Sequence, residues 1–253
     1  MQVSRAALNA TIMFSEILRQ ELRLLSFRES HIDFHRYQYG FLTFAVIATW
    51  LAGVGRYWDH PGAYWWQYAG LGSIVYVGVL SLILWLISIP LRPQNWNYLT
   101  VFIFVGLTAP PAWLYAIPVE KFMLLDVATT LNMWFLLIVA TWRVALYGVF
   151  LRRAARLSGL AWISALFLPL VAIVSALAML NLEHAVFDIM GGLDREPTSS
   201  DKAYLVVVLL TFSSYLAAPV LLVCYVLASY KAWKHTYEAP GSQQAQQDPA
   251  GKE

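Results

Sequence analysis

Long runs without an acidic or basic side chain divide this sequence. Residues 37–55, 61–91, 93–119, 127–142, 157–182 and 203–230 contain no Asp, Glu, Lys or Arg and are mostly apolar. A helix rises 1.5 Å per residue, so crossing a bilayer's hydrocarbon takes about 20 apolar residues. The runs therefore predict six transmembrane helices over roughly 37–56, 68–90, 98–118, 127–149, 161–182 and 204–229. The fourth run is short and reaches full length only if Arg143 lies inside the helix. The expected fold is all-α: a polytopic transmembrane helical bundle.

A different pattern precedes the first run. Phe14, Ile17, Leu18, Leu22 and Leu25 recur at helical spacing, with Glu16, Arg19, Gln20 and Arg23 on the other face. Next to a membrane span, such a segment predicts an amphipathic helix lying in the interface; a docking face for a partner helix is the alternative. After Glu238 the chain has no aromatic or β-branched residue, and a disordered tail is expected. The organisation is then a cytoplasmic segment over 1–36, one membrane domain over 37–230 and a cytoplasmic tail over 231–253.

Composition agrees with lipid as the main solvent. Of 253 residues 59% are hydrophobic and only 13% charged, with mean hydropathy +0.57. A soluble domain carries about 25% charged residues, so a polar skin is missing. Charge placement sets the orientation. With the N-terminus inside, Arg5, Arg19, Arg23, Arg28, Arg36, Arg92, Arg152, Arg153, Arg156, Lys231, Lys234 and Lys252 face the cytoplasm. Arg56, Lys121, Arg195 and Lys202 face outward. Twelve against four predicts both termini in the cytoplasm and a plasma-membrane location, the inner membrane in a bacterium. Tyr57, Trp58, Tyr64, Trp65 and Trp66 outside, with Trp96, Tyr98, Tyr230 and Trp233 inside, suit the two headgroup layers. No small-residue cleavage site follows the N-terminus, so a removable signal peptide is not expected.

Candidate chemistry is sparse. Pro110 and Pro111 remove amides from the outer half of span three, which should break or kink there and free the carbonyls of Gly106 and Leu107. A packing kink and a ligand-binding break both fit; Pro118, Pro169 and Pro219 are read as kinks. Arg143, about 13 Å from Arg152 along a helix, either snorkels to the cytoplasmic surface or pairs inside the bundle. A polar path for a transporter or channel would have to use Thr108, Asn132, Thr141 and Arg143.

Asp59, His60, Glu183, His184 and Asp188, with Glu120, Asp126 and Asn181 near them, gather acids and histidines on the outer side. They are candidates for an enzyme or a metal site there, against solvated loop charges and helix caps. His31 and His35, four apart, have a chelating spacing and equally suit the headgroup layer. Ala45, Thr49 and Gly53, with Ala48 and Ala52 alongside, allow close helix approach within a bundle or between copies. Arg152, Arg153 and Arg156 suit anionic headgroups.

No phosphate loop, dinucleotide fingerprint, H-E-x-x-H or G-x-S-x-G occurs. The lone Cys224 defines no disulfide or zinc pattern. No cofactor, resident metal or nucleic acid is expected. In layout alone, a cytoplasmic segment before a short-looped bundle, the chain resembles small Yip-type trafficking proteins; no motif carries that likeness. The sequence points first to a non-enzymatic scaffold, assembly or lipid-interacting component. Its expected partners are membrane lipids and a membrane protein or second copy. An outer-face enzyme or metal site, and a small-molecule transporter or channel, are the alternatives.

Overall fold

The computed structural model describes residues 2–28, 37–58, 62–180 and 201–246. Among these the regular structure is entirely helical. Helix α1 (Gln2–Leu25) precedes α2 (Gln38–Tyr57), a single turn α3 (Trp65–Tyr68) and α4 (Leu71–Ser88). Then come α5 (Tyr98–Leu107), a 3-10 segment over Pro110–Ala116, α6 (Leu125–Arg153), α7 (Gly159–Met179) and α8 (Asp201–Gln246). Five helices are long and apolar enough to cross a membrane. A sixth crossing exists if α5 and the 3-10 segment, bent by 45° at their junction, form one span. The helical backbone of α8 runs through Pro240 and Gly241 to Gln246.

The shortest spanning element is the most buried. In α5, Thr100, Val101 and Ile103–Leu107 are all buried, between α2 and α4. Close approach to α2 depends on Gly106: a Cβ there would stand 2.7 Å from the Ala45 Cβ. Ala45, Thr49 and Gly53 are buried along α2, and a Cβ on Gly53 would meet the Gly70 carbonyl at 2.7 Å. The small-residue stripe of α2 therefore serves contacts inside this chain. Toward α6, large rings fill the gap. Phe104 stacks on Phe150 with centroids 4.0 Å apart and tilts against Tyr147 at 6.2 Å.

Indole N–H groups tie together the end of the bundle that holds the 3-10 segment. Trp113 donates to the Ala48 carbonyl at 3.1 Å, Trp58 to Ala116 at 3.0 Å and Trp50 to Ala69 at 2.9 Å. Two of these bonds hold the 3-10 segment against α2, replacing backbone order that the prolines removed. On the far side α7 packs extensively along α8. Tyr225 of α8 donates to the Ile87 carbonyl at 2.8 Å, joining this pair to α4. One flank of α8 is left uncovered: Leu209, Phe212, Leu216, Val220, Val223 and Val226 are all exposed. A contiguous apolar surface of this kind is tolerated where lipid or another protein covers it. Pro169 lies within the continuous α7 and Pro219 within the continuous α8.

Candidate functional site

Span three breaks where two successive residues lack an amide. Gly106 nevertheless keeps its carbonyl occupied, by the Ala109 N–H at 3.0 Å. This corrects the expectation that it would be freed: the helix tightens into an i to i+3 turn before Pro110. The Leu107 carbonyl does lose its backbone donors, because both candidate positions, 110 and 111, are proline. The broken end is thus the carbonyl-rich, negative end of the α5 dipole.

Arg143 comes from α6 to this end. Its Nε donates to the Thr108 hydroxyl at 3.0 Å, and that hydroxyl donates onward to the Val105 carbonyl at 2.7 Å. The guanidinium carbon also lies 5.9 Å from the centre of the Tyr76 ring, within cation–π range. Of the two possibilities for this charge, pairing inside the bundle is the one seen. The arrangement offsets the cost of a cation at this depth, with a hydroxyl, a ring face and a helix C-terminus around it. Chemically it is a fixed positive charge that staples the break.

Of the four polar-path candidates, two come together. Thr108 and Arg143 meet, and Thr108 is buried. Thr141 is exposed on the surface of α6. Asn132 is about 16 Å from Arg143 along the helix at 1.5 Å per residue.

A second constellation was not foreseen from the sequence. Helix α1 ends in a tight turn, with Phe27 N–H bonded to the Leu24 carbonyl and Arg28 N–H to the Arg23 carbonyl. This is the Schellman closure, which puts the residue after the helix in the left-handed region and usually selects glycine. Here Phe27 adopts φ 59°. Helix α6 supports that conformation. The Phe27 ring stacks on Trp142 at 6.1 Å, Trp142 Nε1 donates to the Leu25 carbonyl at 3.1 Å, and Arg153 Nη1 donates to the Phe27 carbonyl at 3.0 Å. Two carbonyls at or beyond the helix end thus gain donors, one of them cationic.

The α1 surface divides into three flanks. Ile17, Glu21 and Leu24 are buried, and a Cβ on Gly40 of α2 would collide with the Ile17 side chain. Phe14, Leu18 and Leu22 are exposed on one side, and Arg19 on the opposite one. The expected single apolar face is split: Ile17 turns to the bundle and Leu25 packs against the core, while Phe14, Leu18 and Leu22 remain exposed. Glu21 is only 2% exposed, and neither carboxyl oxygen has a hydrogen-bond partner. Burial pushes its pKa from 4.5 up to about 8, so the docked helix holds it as a neutral acid at pH 7.

The outer-side candidates Asp59, His60, Glu183, His184 and Asp188 lie outside the described residues, as do His31 and His35. Among the described residues no three His, Cys, Asp or Glu side chains come together as a metal site. No protein-family profile, curated protein or solved structure matches this chain.

Proposed function

We propose that this chain is a multi-pass membrane protein with both termini in the cytoplasm, acting without catalysis as a scaffold, assembly or lipid-interacting component. Helix α1 is its working surface. The observation that carries this reading is the three-flanked α1 held at its end by Trp142 and Arg153. An interfacial helix needs hydrocarbon on one side and water on the other. The exposed Phe14, Leu18 and Leu22 suit the first, and Arg19 suits the second. The third side, through Ile17, Glu21 and Leu24, joins this helix to the bundle.

The choice of leaflet follows from the basic residues around it. Arg19, Arg23, Arg28, Arg152, Arg153 and Arg156 cluster in sequence at α1 and at the end of α6, and basic residues mark the cytoplasmic side. The test compares the full chain with one lacking residues 1–28, each purified in native lipid and analysed for companions by mass spectrometry. Loss of specific protein or lipid companions from the shortened chain is expected. An unchanged set of companions from a correctly inserted, shortened chain would remove the reading's support.

A further inference from the structure

We infer that the cleft between α6 and α7 binds one anionic phospholipid, with an acyl chain in the cleft and the phosphate at Arg152. The inference rests on the membrane reading above, but not on the role given to α1. The cleft is an open groove of about 490 Å³, within the usual range of ligand sites, about 300–1,000 Å³. Its walls include Thr141, Ala145 and Gly148 of α6 and Trp162 and Leu166 of α7. It exists because α7 packs mainly along α8 and meets α6 much less. The Trp162 indole bridges the gap near its basic end, donating to the Gly148 carbonyl at 2.8 Å.

Charge and length both select the occupant. Arg152 follows Gly148 by one turn on the same face, and its guanidinium lies 5.5 Å from the Trp162 ring centre. Among the described residues no carboxylate pairs with it. One turn before Trp162, α7 begins at Gly159 with no side-chain cap from Ser158, so its first amides add positive potential beside Arg152. An anion is therefore favoured at this end and an apolar chain along the rest. From Arg152 to Thr141 is about 16 Å of helix, roughly half of the ~30 Å hydrocarbon thickness. The cleft thus matches a single leaflet, and its open side lets a lipid enter from the bilayer.

The test places the full chain in bilayers of phosphatidylglycerol and phosphatidylcholine with identical acyl chains, and counts retained lipids by native mass spectrometry. One phosphatidylglycerol per chain is expected to persist. Arg152→Gln should lower the preference for phosphatidylglycerol about five-fold, the effect of roughly one basic side chain at an anionic headgroup. Ala145→Phe fills the cleft from an exposed position and should remove the retained lipid of either headgroup. Arg156→Gln, an exposed neighbour outside the cleft walls, should change the preference less than two-fold, roughly an ordinary surface effect.

An unchanged preference in Arg152→Gln overturns the proposal. So does lipid retained by Ala145→Phe, or a second protein chain in place of the lipid. Arg152→Gln leaves the cleft's shape intact, so it decides the matter even if the phenylalanine variant fails to fold. Loss of companions on deleting residues 1–28, with this lipid retained, would separate the two proposals.

Discussion

Helices α5 and α8 are both apolar enough to enter a membrane, yet they stand at opposite ends of the packing scale. Nearly all of α5 is buried by α2, α4 and α6, and its far end is broken and stapled by Arg143. Almost none of the apolar stretch of α8 is buried, and its side chains point outward along most of its length. Hydrophobicity alone does not distinguish them, because lipid is as apolar as leucine. What separates them is how their small and polar residues are used. Gly106 brings the α5 backbone against Ala45, and the Thr108 hydroxyl accepts from the half-buried Arg143. In α8 the buried positions are few, Ser214, Leu221 and Ala228 among them, and Tyr225 bonds to the Ile87 carbonyl while large apolar side chains stay uncovered. In a bilayer, close backbone approach and satisfied polar groups choose the central helix.

The contrast can be broken most sharply at Gly106. Gly106→Leu would force the helix backbones of α2 and α5 apart, at a cost near or above the top of the usual overpacking range of about 1–3 kcal/mol. Thermal unfolding in detergent should show a large drop in Tm or no folded protein. A near-normal Tm would mean α5 does not sit where its burial places it. Next in size is the Arg143–Thr108 pair. A double-mutant cycle of Arg143→Met and Thr108→Val should give a coupling of about 1.5–3 kcal/mol, the worth of a hydrogen bond to a charged group. Simple additivity would show that the bond contributes nothing.

Helix α1 gives a smaller and local effect that sharpens the same contrast, because it too buries a polar group. Its docked state holds the Glu21 proton more tightly than the undocked state does. Between pH 4.5 and about 8 the docked form therefore binds more protons, and docking weakens as pH rises through that window. Below 4.5 both forms are neutral and the dependence disappears. Hydrogen exchange of α1, corrected for intrinsic rates, should show this slope, and Glu21→Gln should flatten it. A slope that persists in Glu21→Gln would assign it to another group. The smallest effect belongs to α8. Leu216→Ala, at a site 69% exposed, should change stability by no more than about 0.5 kcal/mol. A loss of several times that would reveal a protein partner on this face.

Much of the architecture is legible in the order of residues. Uncharged runs locate the spanning helices, and adjacent prolines locate the break in span three, because a missing amide is a local property. The fate of the freed carbonyls was only half legible. Ala109 reaches Gly106 through a tightened turn that pattern reading did not anticipate. The partner of Arg143 lies 35 positions away at Thr108, and that of Trp142 lies 117 positions away at Leu25. Such pairings depend on helix placement, which periodicity does not encode. Glu21 is the clearest miss. Its spacing from Ile17 and Leu24, at i+4 and i−3, places it on the buried stripe, but the pattern of Glu16, Arg19, Gln20 and Arg23 on one face and the apolar residues on the other assigns Glu21 to neither. Position within the stripe was the available signal.

Lipid contact is the property on which α5 and α8 are set apart, and it can be measured without altering the protein. The unmodified chain, reconstituted with a phospholipid carrying a photoreactive diazirine on its acyl tail, can be irradiated and its adducts mapped by mass spectrometry. Adducts are expected along Leu209–Leu227 of α8 and on Phe14, Leu18 and Leu22 of α1, with residues 101–107 of α5 unlabelled. Equal labelling of α5 and α8, or an unlabelled α8, would contradict the placement of these helices.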